Sequence, residues 1–203
     1  MLDEIRPGLW RWAARHPEWR PGAKPESAAD WPPEVGCVAC AVPDRFVLID
    51  PLVPGDRGKE FWRIVAALIR AHGAPISVLT TIKWHRRSRD EFVERFGAST
   101  SRARSQLPDG VETVPIRGAG ETMVWLPEQR ALIPGDRLLG DGRGGLRLCP
   151  ESWLGYLSTG LTLAGLRDAL QPLLDLPVET VLVSHGEPVL AGGRDAIARA
   201  LAN

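Results

Sequence analysis

Along the chain, short apolar runs end in turn residues, and two kinds of periodicity separate them. Gly8-Leu9-Trp10-Arg11-Trp12 alternates apolar and basic positions, which predicts an opening strand with both tryptophans on one face. Val35 to Val42 and Phe46 to Ile49 predict a hairpin through Pro43-Asp44-Arg45. Phe61, Ile64, Val65, Leu68 and Ile69 then follow helical spacing. Ile76 to Thr81 has the composition of a buried strand, and Phe92, Val93 and Phe96 return at helical spacing after it. Glu112 to Val114, Met123 to Leu126 and Ala131 to Asp136 predict three further strands. Leu163, Leu166, Leu170, Leu173 and Leu174 define another helix, Thr180 to Val189 a buried strand, and Ala196, Ile197 and Ala200 a closing helix. His16 to Pro33 and the glycine-rich Leu139 to Pro150 read as loops, the first with a solvated His16, the second flexible and a candidate pocket rim or lid.

With 203 residues and no shift of composition, the pattern predicts one domain over 1–203. Lysine plus arginine equals aspartate plus glutamate, giving a net charge of zero and no global basic field for nucleic acid. No apolar run reaches the length of a membrane span, and Met1 to Arg6 lacks the order of a signal peptide, so a cytoplasmic location without membrane partners is expected. Cys37 and Cys40 lie three apart within a strand and face opposite ways, which makes them core residues rather than a shared metal site.

The chemistry gathers where strands end. Thr81-Ile82-Lys83-Trp84-His85-Arg86-Arg87 lies between a strand and a helix, Gly135-Asp136 closes another strand, and Ser184-His185-Gly186-Glu187 follows a third. In layered α/β folds such carboxyl ends hold ligands. Asp50 also ends a strand, where a turn-capping role is favoured over a place in the site.

These motifs resemble, in order, those of the metallo-β-lactamase superfamily. Leu-Thr-Thr-Ile-Lys-Trp-His-Arg stands where that family has Thr-His-x-His-x-Asp-His. The resemblance places Thr81 and Lys83 at the first two histidines, His85 at the aspartate and Arg86 at the last histidine. Gly135-Asp136 is similar to the family's Gly-Asp, whose carboxylate bridges metals, and His185 to its final metal-binding histidine. The family's Gly-His-Thr element is replaced around Ala119. The implied fold is α/β (α+β), a four-layer αββα sandwich.

The resemblance therefore leaves Asp136 and His185, with His85, as the candidate catalytic set. Lys83 and Arg86 occupy ligand positions, and a cation about 4 Å from a divalent ion is repelled by roughly 8 kcal/mol at an effective dielectric near 20. On that ground the expected protein carries no cofactor, Lys83 or Arg86 pairs with Asp136, and Lys83, Arg86, Thr81 and Trp84 bind a small, anionic molecule. It is a degenerate metal site and a hydrolase-like pseudo-enzyme. Two alternatives stand beside it. One is a mononuclear hydrolase of an ester, thioester or phosphoester in which His85, Asp136 and His185 hold one divalent metal such as zinc, with Asp136 as base. The other is a structural or partner-binding domain.

Overall fold

The structure, a computed structural model, describes residues 2–100 and 107–203. Its first half forms β1 (Asp3–Arg6), β2 (Leu9–Arg15), β3 (Glu34–Val42), β4 (Arg45–Ile49), β5 (Ile76–Leu79) and β6 (Ser99–Thr100), which lie in that order in one six-stranded sheet. The first four strands pair antiparallel, β1 to β2 and β3 to β4 through tight turns and β2 to β3 through the long loop over 16–33. From β4 onward the pairing is parallel, because α1 (Gly58–His72) and α2 (Arg89–Phe96) supply crossovers long enough for it.

The second half forms β7 (Glu112–Ile116), β8 (Glu121–Leu126), β9 (Ala131–Ile133), the hairpin β10 (Leu138–Gly140) and β11 (Leu146–Leu148), α3 (Leu163–Leu170), β12 (Thr180–Val181) and α4 (Gly193–Ala202). Its four-stranded sheet runs β12-β9-β8-β7.

Residue alternation sorts these elements into four layers. Val47 and Ile49 face a central core shared with Val124, Leu126 and Ile133 of the other sheet. Their neighbours Phe46 and Leu48 point outward onto Phe61, Val65 and Phe92 of the first helical layer. Met123, Trp125 and Leu132 likewise point outward onto Leu166, Leu170, Ile197 and Leu201. Both faces of each sheet are covered, which is why β3 and β4 read as continuous apolar runs rather than clean alternation. Cys37 joins the outer core and Cys40 the central one, as their spacing predicts. No helix among the described residues is long and apolar enough to cross a membrane.

Two segments depart from the sequence pattern, and both matter for the site. The strand expected over 180–189 pairs regularly only at Thr180–Val181. Beyond Leu182 the chain crosses to the first sheet, where the Gly36 amide donates to the Ser184 carbonyl at 2.7 Å and Val35 bridges His185. Burial within one sheet and passage between two give the same apolar run, so composition does not distinguish them. The glycine-rich stretch expected as a flexible loop is instead the β10–β11 hairpin, whose turn is held by Asp141 accepting the amides of Arg143 at 2.7 Å and Gly145 at 2.9 Å.

That hairpin fastens the crossing segment. The Gly140 amide donates to the His185 carbonyl at 2.9 Å, and a Cβ at Gly140 would meet the Glu187 carbonyl oxygen at 2.5 Å and its nitrogen at 2.6 Å. Backbone, rather than a pliable side chain, blocks that space. Gly140→Ala should therefore lower stability by about 2 kcal/mol, seen as a melting temperature about 4–8 °C lower for a chain of this size.

Candidate metal centre

Four strand ends converge between the two sheets. Asp50 follows β4, Thr81 to Arg87 follow β5, Asp136 follows β9, and His185 follows β12. The sheets are stitched on both sides of the gap: Ile82 bridges Glu121, the Thr122 amide donates to the Thr81 carbonyl at 2.9 Å, and Val35 bridges His185 across the other side.

Within the gap His85, Asp136 and His185 are all buried, and one donor atom from each lies within 4.8 Å of the others. His85 Nε2 is 3.1 Å from Asp136 Oδ1, and His185 Nε2 is 3.2 Å from the same oxygen. Neither contact has the angles of a hydrogen bond, so Asp136 Oδ1 is buried without a hydrogen-bond partner. Such spacing without hydrogen-bond alignment is what ligands of one small ion show, since donors at ~2.05 Å in a tetrahedron stand ~3.3 Å apart. Two imidazoles and a carboxylate also form a donor set suited to zinc.

Neighbouring groups hold these donors in place. His85 Nδ1 donates to Asp50 Oδ2 at 2.9 Å, leaving Nε2 turned toward Asp136. A carboxylate behind a ligating histidine fixes ring orientation and raises its basicity. Asp50 is itself buried with φ of 48°, and its carboxylate also accepts the Thr81 amide at 2.9 Å and the Thr81 hydroxyl. These bonds reach Thr81 and His85 rather than the turn after β4, so the turn-capping role expected for Asp50 gives way to one beneath the site. Asp50→Asn should weaken metal binding about 10–100-fold while the fold survives, measured by competition with a chromophoric chelator.

Asp136 is fixed from both ends. Trp84 Nε1 donates to its Oδ2, which leaves Oδ1 facing the histidines. Glu121 accepts the amides of Gly135, Asp136 and Arg137 at 3.0, 2.7 and 3.0 Å, clamping the loop. Burial and the nearby Asp136 charge push the Glu121 carboxyl up to about 7 despite these amides. The sequence gives little sign of this clamp, because a glutamate opening a short strand ordinarily faces water.

The electrostatics explain how the site stands without Lys83 or Arg86. Burial opposes a charge on Asp136, yet the charge of His85 and the nearness of His185 hold its carboxyl well below the usual range. Burial and Arg87 oppose a charge on His85, but Asp136 and Asp50 on either side outweigh them and raise it. Burial lowers His185, leaving a neutral imidazole of the kind metals bind. The basic partners Asp136 has in the site are thus the two imidazoles and not a lysine or arginine. The expected pairing of Lys83 or Arg86 with Asp136 is not found: Arg86 bonds Asp90 at 2.9 Å on the surface, and Lys83 lies over the Trp84 ring, 5.4 Å from its centroid. The residues of this strand-to-helix turn point in different directions, His85 inward and Lys83 and Arg86 outward, and linear spacing does not tell which turn inward.

Of the other sequence-predicted ligand-binding residues, Thr81 is consumed by Asp50 and Trp84 borders the cavity. That cavity, about 500 Å³, opens over the three donors, with Trp31, Trp84 and Trp153 on its walls. His16, expected to be solvated, is half-buried on the same wall, edge-on to Trp31 with centroids 5.1 Å apart. Arg87, from the same basic cluster, is a brace. Its Nη1 donates to the Gly36 and Asp50 carbonyls at 2.9 and 2.8 Å, and its Nη2 to Ser184 Oγ at 2.6 Å.

Comparison with solved structures places this architecture. The whole chain matches a metallo-β-lactamase from Hirschia baltica over 96% of that chain, at 17% identity and a TM-score of 0.64. It also matches the metallo-β-lactamase DIM-1, over 94% of that chain at 14% identity and 0.64. For a metallo-β-lactamase from Erythrobacter litoralis, 99% of this chain covers 90% of that one at 15% identity and 0.60. The chain has the metallo-β-lactamase fold. No family model and no curated protein matches the sequence. The αββα sandwich implied by the strand-end motifs is therefore present at identities too low for the fold to carry an activity with it. A degenerate metal site is not what the fold shows, since His85, Asp136 and His185 lie together as a buried His–Asp–His cluster.

Proposed function

We propose that the protein is a mononuclear metal-dependent hydrolase of an ester, thioester or phosphoester, with His85, Asp136 and His185 holding one divalent ion such as zinc. The observation that supports this most is Asp136 Oδ1, buried, without a hydrogen-bond partner, and flanked by two imidazole nitrogens at 3.1 and 3.2 Å. A divalent ion in that position supplies Lewis-acid activation of water and of a substrate carbonyl or phosphoryl oxygen.

The chain's own residues do the remaining work. Asp50 keeps a proton on His85 Nδ1 and its Nε2 toward the donors. Trp84 occupies Asp136 Oδ2, so Asp136 is a ligand in this reading and not the general base. Trp31 and Trp153 shield His185 from water, with ring centroids 5.8 and 5.4 Å from it. At the exposed edge of the cavity Lys83 has no ion pair among the described residues, which suits a small-molecule substrate carrying a carboxylate or phosphate.

The test is a panel of chromogenic esters, thioesters and phosphoesters, assayed after chelator treatment and again after addition of one equivalent of zinc. Hydrolysis of at least one class should vanish with chelator and return with zinc. Activity indifferent to both treatments would remove the metal from the account.

A further inference from the structure

Among the described residues only four large hydrophobic side chains stand exposed, and two of them, Trp84 at 41% and Tyr156 at 72%, line the one cavity over the metal donors. Exposed aromatic surface of this size, gathered around a polar centre, marks a binding wall rather than chance. The inner walls are aromatic as well. Trp31 and Trp153 meet the His185 ring nearly at right angles, with interplanar angles of 73° and 77°.

These walls are fixed before any ligand arrives. Trp19 Nε1 donates to the Trp31 carbonyl at 2.8 Å, and Ser152 Oγ donates to the Glu26 carbonyl at 2.7 Å, which ties the long loop before β3 to the segment carrying Trp153. Beneath that segment Arg137 is fully buried, and its Nη1 donates to the Trp153 carbonyl at 3.4 Å. A cation is thus held inside the protein against a wall residue of the cavity, which makes Arg137 a positioning residue for Trp153. Preorganised aromatic walls favour flat ligands because little side-chain freedom is lost on binding.

We propose that the cavity is built for a substrate whose acyl group is a flat aromatic or fused-ring body, seated between Trp31 and Trp153 and covered at the mouth by Trp84 and Tyr156. A volume of about 500 Å³ accommodates such a group together with a short leaving group. The term substrate rests on the hydrolase reading; the preference for a flat ring does not.

Isothermal titration of the protein with 2-naphthoate and with acetate separates the two, with and without one equivalent of zinc. Both probes offer the same carboxylate to a metal, so their ratio reports on the ring alone. We expect 2-naphthoate to bind at least about 30-fold more tightly than acetate, the ratio falling about tenfold in Trp31→Ala and in Trp153→Ala. In Tyr156→Ala, at the exposed mouth where folding is not at stake, it should fall about threefold. Circular dichroism confirms that each variant is folded. A ratio near one in the wild type, or a ratio unmoved in folded Trp31→Ala and Tyr156→Ala, would overturn the proposal. Thiol release from 2-naphthoyl and acetyl thioesters of N-acetylcysteamine completes the comparison. Tight 2-naphthoate binding with no zinc-dependent thioester cleavage would support the aromatic pocket and count against a thioester hydrolase.

Discussion

Asp136→Ala is expected to lower zinc affinity at least about 100-fold and to reduce zinc-dependent hydrolysis at least about a thousandfold. Removing a carboxylate behind a ligand costs 10–100-fold, so removing a ligand must cost more. Asp136 also contributes the only negative charge among the three donors, and it is the atom both histidines share at 3.1 and 3.2 Å. Asp136→Asn keeps the shape and an oxygen for Trp84 but loses the charge, and should fall between wild type and alanine. The two variants are compared by metal titration and by initial rates on whichever chromogenic substrate the wild type cleaves. Wild-type zinc affinity in folded Asp136→Ala would place the ion elsewhere.

The second large effect is on stability. Arg87→Met should lower the unfolding free energy by about 3 kcal/mol, or about 6–12 °C in melting temperature for a chain of this length. The guanidinium joins three separate stretches: the Gly36 carbonyl of β3, the Asp50 carbonyl after β4, and Ser184 in the segment crossing between sheets. Methionine keeps the stem but leaves those acceptors without their donors, at about 1 kcal/mol or more for each. Arg87 also holds φ of 40°, so Arg87→Gly relieves backbone strain without restoring any bond. Glycine should therefore remain well below wild type. Scanning calorimetry decides it, and a melting temperature within about 2 °C of wild type for Arg87→Met would mean that the brace carries little energy.

Much of this architecture is legible in the order of apolar runs. Strands β3, β4, β5 and β8 and helices α1, α2 and α4 lie where periodicity places them, because both faces of each sheet are buried and each helix presents one apolar stripe. The three donors are legible too, since all of them sit just past strand ends. Which side chains of the assembled turn face inward is not legible. His85 stands among four cationic or aromatic neighbours, and only the turn after β5 decides that it points inward while Lys83 and Arg86 point out. The supporting groups Glu121, Arg87 and Arg137 act on backbone atoms distant in sequence, so their roles depend on the two sheets meeting. Strand-end order places His85, Asp136 and His185 in one candidate set, and they do lie together; what it misses is that Lys83 and Arg86 turn away from them.

The most direct measurement is the zinc content of the wild-type protein, loaded with excess zinc, desalted, and analysed by plasma mass spectrometry beside a His85→Ala/Asp136→Ala/His185→Ala variant treated identically. The account predicts about one zinc per wild-type chain and none above background in the variant. A folded wild-type protein that retains no zinc, or a variant that retains as much, would contradict it.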